Sequence, residues 1–232
     1  TPPPLVVVAA FGALAWLLRR SIGLTVFVVL AFLFIINQGY WEETTKTLAL
    51  VLASATVCMV IGVPLGIAAA RRPWLMSAMR PILDLMQTIP TFVYLIPALI
   101  LFGLGMVPGL IATVIFALPA PIRLTHLGIS TTPTALVEAA DSFGATPWQR
   151  LVKVEIPWAM PQILAGLTQT IMLSLSMVVI AALVGADGLG VPVVRALNSV
   201  NVAMGFTAGL AIVLLAIVLD RLCRGEDRKV RR

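Results

Sequence analysis

The groups able to do acid, base or metal chemistry are few and scattered. His126 is the only histidine, and no carboxylate or thiol stands beside it, so it does not read as a metal ligand but as a structural or surface residue. Cys58 lies in an apolar run and Cys223 in a basic tail, with no ligand spacing around either, and both read as free thiols. Asp84 stands six residues before Pro90 and, with Gln87 and Tyr94, is a candidate for lining a solute path, although an interfacial residue that pairs with Arg80 or caps a helix is the reading its type favours. Ser174 and Ser176 follow Thr168, Gln169 and Thr170 as a polar stripe in an apolar run, which suits either hydrogen bonds between helices or the wall of a path. Phe92, Tyr94 and Trp74 do not form a legible cage for a cation.

Polarity concentrates instead in one stretch, EAADSFGATPWQRLVKVEIP, residues 138–157. The punctuation predicts two short helices between Thr132 and Pro157. Thr132 is placed to cap the first, Pro133 suits its first helical position, and Gly144 is placed to end it. Leu136, Ala140 and Phe143 then share a face. Thr146 caps the second, Pro147 begins it, Gln149 completes a capping box, and Pro157 limits its end. Leu151 and Val152 add an apolar patch beside Arg150 and Lys153, while Ala139, Ala140 and Gly144 allow close backbone approach. Two uses fit such a hairpin, a docking surface or a plain connection between membrane spans, and the residues alone do not choose.

The elements that position this stretch are membrane helices. Hydrophobic residues make up 60% of the 232 and charged residues 11%, with mean hydropathy +1.05, where soluble domains carry roughly a quarter charged. Seven apolar runs qualify as candidate spans: 3–18, 22–36, 47–70, 88–104, 109–122, 162–184 and 202–220. The fifth contains Pro119 and Pro121, expected to kink or break it. Alternating sides outward from residue 138 puts fourteen of the sixteen Lys and Arg residues on the loop's side, which the positive-inside rule makes cytoplasmic, and leaves only Lys46 and Arg195 outside. The net charge of +6 therefore reads as topology, not as a nucleic-acid surface. Outside, Tyr40 and Trp41 suit the membrane interface, and in GADGLG, residues 185–190, Asp187 serves either a plain loop or contact with a docked protein. The chain opens on Thr1 without a Met, so upstream residues are expected.

The polar stretch resembles the EAA loop of ABC importer permeases: E-A-A, three residues, Gly, nine residues, an apolar residue, any residue, an apolar residue and Pro. Glu138, Ala139, Ala140, Gly144, Val154, Ile156 and Pro157 supply it, with Val for the usual Ile and Ile for the usual Leu. Further segments, PILDLMQTIPTFVYLIP, GMVPGLIATVIFALP, IRLTHLGI and LSLSMVVIAALVGADGLG, are similar to permeases for glycine betaine, proline betaine and choline, and the likeness covers roughly residues 45–222. It implies an all-α, polytopic membrane protein of the type I ABC importer permease fold, multi-pass in a bacterial inner membrane, with about seven spans and the loop and C-terminus cytoplasmic. It also implies accessory helices over 1–44, a permease core over 45–222 with its loop at 132–157, and a basic tail over 223–232. The loop, through Glu138, Ala139, Ala140, Asp141, Ser142, Phe143 and Gly144, would form a coupling helix inserted in a groove of an ATP-binding subunit. The implied partners are that ATPase, which would hold ATP and Mg, an extracytoplasmic substrate-binding protein, a second permease subunit as in a homodimer, and lipid. The chain itself would hold no cofactor and hydrolyse nothing. A carrier driven by an ion gradient is the alternative, but it should place ionisable residues inside its spans, and these spans hold almost none.

Overall fold

The computed structural model describes residues 3–223, Arg19 through its backbone only. The basic tail expected over 223–232 lies beyond Cys223 and so outside the described residues. Within them the chain is helical throughout, with no strand: α1 Pro4–Arg19, α2 Ile22–Asn37, α3 Trp41–Arg71, α4 Pro73–Thr88, α5 Thr91–Phe102, α6 Met106–Ala117, α7 Pro119–Ser130, α8 Thr134–Ser142, α9 Pro147–Arg150, a π turn Leu151–Glu155, α10 Ile156–Ala182, α11 Gly190–Asn198 and α12 Val202–Cys223.

A count of seven spans is not what this arrangement gives. Four helices are long and apolar enough to cross a membrane, Trp41–Arg71, Met106–Ser130, Pro147–Ala182 and Val202–Cys223. A fifth crossing requires α4 and α5 to count as one, and they meet at 88°. Ile89 causes the break: it precedes Pro90, which disfavours helical backbone, and it is extended at φ −67°, ψ 131°. The expected span over 88–104 is therefore reduced to the 12 residues of α5. Conversely, Pro119 and Pro121 do not break the fifth run. The backbone passes through Leu118 in helical geometry, and α6 and α7 together form a 25-residue span. Both prolines fall in the first turn of α7, where amide donors are least needed.

Small residues let the spans approach closely at this point. Gly62 and Gly66 of α3 and Gly166 of α10 all lie against Pro121 or the residues just after it, so α7 starts between two other spans. Without a strong hydrophobic drive between helices in lipid, such van der Waals contact is the main source of association. α1 and α2, each 16 residues, are short for a crossing but share the largest core: Val8, Phe32 and Ile35 cluster with Leu48 and Val51 of α3 and with Leu215 and Val218 of α12. Phe32 also packs its ring against Phe11 and Trp41, with centroids 5.1 and 6.3 Å apart.

At the bundle end opposite the polar loop, the glycine-rich turn after α10 is pinned to the start of α3. Lys46 pairs with Asp187 at 3.1 Å and with Glu42 at 3.0 Å, and the buried Leu189 N–H donates to Thr47 Oγ1 at 2.8 Å. Asp187 thus has a partner within the chain. Thr47→Val keeps the side-chain shape but orphans the Leu189 N–H, an expected loss of about 1–3 kcal/mol. Thermal unfolding in detergent should show a lower Tm, and an unchanged Tm would mean that this bond contributes nothing.

Candidate functional site

The polar stretch is a rigid, exposed loop whose parts differ from the expected two helices. Thr132 does not cap α8. Its hydroxyl turns back and donates to Ile129 O at 2.9 Å, extending the end of α7, while Pro133 occupies the cap position without a side-chain bond. A threonine hydroxyl bonded to a carbonyl of the preceding turn is a competing local arrangement, and here it wins. The C-terminal end of α8 follows the expectation. Gly144, at φ +74°, donates to Asp141 O at 2.9 Å, and Ala145 N–H donates to Ala140 O at 3.1 Å, the paired bonds of a Schellman motif. Across the turn, the capping box is complete: Thr146 Oγ1 accepts from Gln149 N–H at 3.3 Å and Gln149 Oε1 accepts from Thr146 N–H at 2.9 Å.

Pro157 does not end the second helix. From Pro147 the helix runs on through the π turn and α10 to Ala182, 36 residues in all. In the widened turn the Ile156 N–H bonds to Leu151 O, five residues back, just before the proline whose ring and missing donor would disturb a regular α turn. The loop is thus one short helix followed by the extended start of a span. Leu151, expected on the surface patch, is instead 5% exposed and packs with Ile129, Ala159 and Ile163.

The outer face is apolar where it is most exposed. Phe143 is 92% exposed and Trp148 70%, with Leu136 and Val152 beside them in sequence at 42% each. Glu138, Ala139, Asp141, Ser142 and Gly144 are also exposed and Ala140 half-buried, and α8 has no buried residue. The seven residues from Glu138 to Gly144 therefore present a nearly continuous free surface, rich in small side chains, with an aromatic ring at its end.

Behind that surface runs a chain of charges that sequence reading missed. Glu155, in the π turn, has its side chain 8% exposed. Its Oε1 accepts from Arg150 Nε at 3.0 Å and its Oε2 from Arg71 Nη2, at the end of α3, at 3.1 Å. Arg71 Nη2 also donates to Pro147 O at 3.3 Å, and Arg150 Nη1 reaches both carboxylate oxygens of Asp141 in α8 at 3.1 and 3.3 Å. Arg71 and Glu155 are 84 positions apart, and no local pattern announces the pair. Gly62 and Gly66, by contrast, form a small-x-x-x-small pair that was there to be read.

The candidate path residues lie on three helices, α4, α5 and α10. Asp84 is exposed on α4 and pairs with Arg123 of α7, across the fold, in place of the neighbouring Arg80. Gln87 is half-buried on the same helix. Tyr94 packs beside Leu95 and Met177, and its hydroxyl is buried without a hydrogen-bond partner. Ser174 is fully buried and accepts from Ser54 Oγ of α3 at 3.0 Å, the bond between helices that its stripe allowed, and so presents no surface to a path in this conformation. Ser176 is exposed and bonds back to Met172 O. Among the described residues no three His, Cys, Asp or Glu side chains are grouped to hold a metal.

Comparison with known proteins agrees with this architecture. Residues 62–232 match the family described as binding-protein-dependent transport system inner membrane component. The glycine betaine/carnitine transport permease protein GbuB of Listeria monocytogenes serotype 1/2a (strain 10403S) is 50% identical, over 99% of this chain and 82% of its own length. The glycine betaine transport system permease protein OpuAB of Bacillus subtilis (strain 168) is also 50% identical, over 95% of this chain and 78% of its own. ProW of Escherichia coli (strain K12), a glycine betaine/proline betaine permease protein, is 47% identical over 99% of this chain, which spans 64% of that longer protein. A chain from an inward-facing structure of the MetNI methionine ABC transporter superposes with a TM-score of 0.70 at 25% identity, over 79% of this chain and 94% of that one. The fold is that of type I ABC importer permeases, and a carrier driven by an ion gradient is set aside. A family pattern covering the last turns of α3, the loop and every later span, together with relatives half identical over nearly the whole chain, makes this protein a member of the binding-protein-dependent transport system inner membrane component family.

Proposed function

We propose that the chain is the translocation subunit of an ATP-driven importer of quaternary amines, with glycine betaine as the first substrate to test and proline betaine and choline as related cargoes. The substrate class rests on glycine betaine permease relatives at 47–50% identity. In this reading the loop faces the cytoplasm, as the distribution of Lys and Arg supports, and Glu138, Ala139, Ala140, Asp141, Ser142, Phe143 and Gly144 dock into an ATP-binding subunit that holds ATP and Mg. The observation that carries the docking is Phe143, 92% exposed at the end of a helix fixed by a Schellman motif. An exposed ring beside small residues and a charged rim has the make-up of an interface core. A second copy of the chain completes the path, for which Asp84, Gln87, Tyr94, Ser174 and Ser176 are the candidate residues, and an extracytoplasmic binding protein delivers the amine.

The test is uptake of labelled glycine betaine in proteoliposomes holding the whole complex, with proline betaine and choline as competitors. Uptake should require ATP, the ATPase subunit and the binding protein, and omission of any one should reduce it to background. Uptake that persists at full rate without the ATPase subunit overturns the reading.

A further inference from the structure

We infer that Glu155 is a positioning residue whose ion pairs with Arg71 and Arg150 make the exposed loop and α3 move as one body. The inference rests on the coupling role proposed for the loop. α8 buries none of its residues, so packing gives it little hold on the bundle. What links it inward is charge: Asp141 of α8 to Arg150, Arg150 to Glu155, and Glu155 to Arg71 at the end of α3.

The placement of Arg71 explains why such a link is needed. The π turn Leu151–Glu155 separates the loop from α10, and an irregular turn is where a helix under load yields first. Arg71 holds both sides of that turn, with its Nη2 donating to Pro147 O before it and to Glu155 Oε2 at its end. A push on α8 therefore reaches α3 across the bridge and is not absorbed by the turn. The two arginines and two carboxylates carry no net charge together, and the Glu155 carboxylate, 8% exposed, has its Oε1 held by Arg150 and its Oε2 by Arg71. Charge-assisted bonds of this kind are directional as well as strong, which suits transmission of a displacement.

The measurement is ATP hydrolysed per glycine betaine delivered, in proteoliposomes with the complete complex. Glu155→Gln keeps the shape and removes the charge, and Arg71→Gln changes the more exposed partner, so that a folding defect in one leaves the other to decide. Each complex is first checked for assembly by size exclusion. Each variant that assembles is expected to raise the ratio about fivefold, within the roughly 2- to 30-fold span that a coupling change of this kind produces. The double variant should be no worse than the poorer single one, because both break the same link. Ratios equal to wild type, or single effects that multiply in the double variant, overturn the inference. A wild-type complex whose uptake ignores ATP overturns the coupling role itself together with this inference, whereas a coupled wild type with indifferent variants overturns only the inference.

Discussion

Gly144→Val is expected to lower ATP-dependent uptake about tenfold and leave the Tm of the membrane body unchanged. The two halves of that expectation have separate causes. Gly144 sits at φ +74°, a left-handed conformation that costs an ordinary residue roughly 1–2 kcal/mol, and a β-branched one more. A strain of that size shifts the equilibrium between the native turn and its alternatives about tenfold. A side chain at this position would meet no atom within 4 Å, so no clash is passed on to the bundle. What is lost is the end of α8: the bonds from Gly144 N–H to Asp141 O and from Ala145 N–H to Ala140 O both depend on the left-handed turn. The chain would leave α8 in another direction, and Phe143 and the face from Glu138 onward would no longer be presented together. Gly144→Asn separates conformation from bulk, because asparagine tolerates the left-handed region. If Asn restores most of the uptake that Val removes, the turn is the cause. If both variants are equally inactive, the free volume around Gly144 is needed by the docked subunit instead. Wild-type uptake from the Val variant would mean that the geometry of this turn has no part in transport.

What was legible in the sequence was whatever depends on neighbours in the chain. The left-handed Gly144 and the capping box of Thr146 and Gln149 both follow from local chemistry. What failed had a local rule overridden by a distant or finer constraint. Pro157 reads as a stop, but a π turn immediately before it lets the helix continue. Pro119 and Pro121 read as a break, but they fall in the first turn of α7, where α3 and α10 close around them through Gly62, Gly66 and Gly166. Leu151 reads as one of an exposed pair, yet the turn rotates it inward onto Ile129 and Ala159. The Arg71 and Glu155 pair could not be found locally at all, since the partners meet only through the fold. The count of seven spans is not confirmed for two reasons: hydropathy does not show the 88° bend at Ile89, and α1 and α2, 16 residues each, are short for a crossing.

Gly66→Leu is expected to abolish accumulation of the folded protein, and Gly66→Ala to destabilise it by about 1–3 kcal/mol, the usual cost of forcing extra atoms into a filled contact. A Cβ at Gly66 would stand 2.7 Å from Ile122 O, 2.7 Å from Thr125 Cβ and 3.1 Å from His126 N. Two of those three are backbone atoms of α7, which cannot step aside as a flexible side-chain tip can. α3 must therefore retreat from α7, and the contact between Gly62 and Pro121, one turn away, opens with it. Gly209 in α12 is the counterpart: a Cβ there meets nothing within 4 Å, so Gly209→Ala should be neutral or stabilise the helix by up to about 1 kcal/mol. The yield of folded Gly66→Leu and the thermal unfolding of the two alanine variants in detergent decide the matter, and a Gly66→Ala protein as stable as Gly209→Ala would show that the crossing is not tight. The crossing also bears on transport, because α3 ends at Arg71 and α7 leads directly into the loop through Thr131 and Thr132. The exposed loop is thus joined to the same pair of helices twice, by backbone to α7 and by charge to α3, and Gly66 is where those two helices are held together. A Gly66→Ala complex that still assembles should consequently spend more ATP for each amine delivered, as the Glu155 variant should, although its alteration is buried two turns away from the loop.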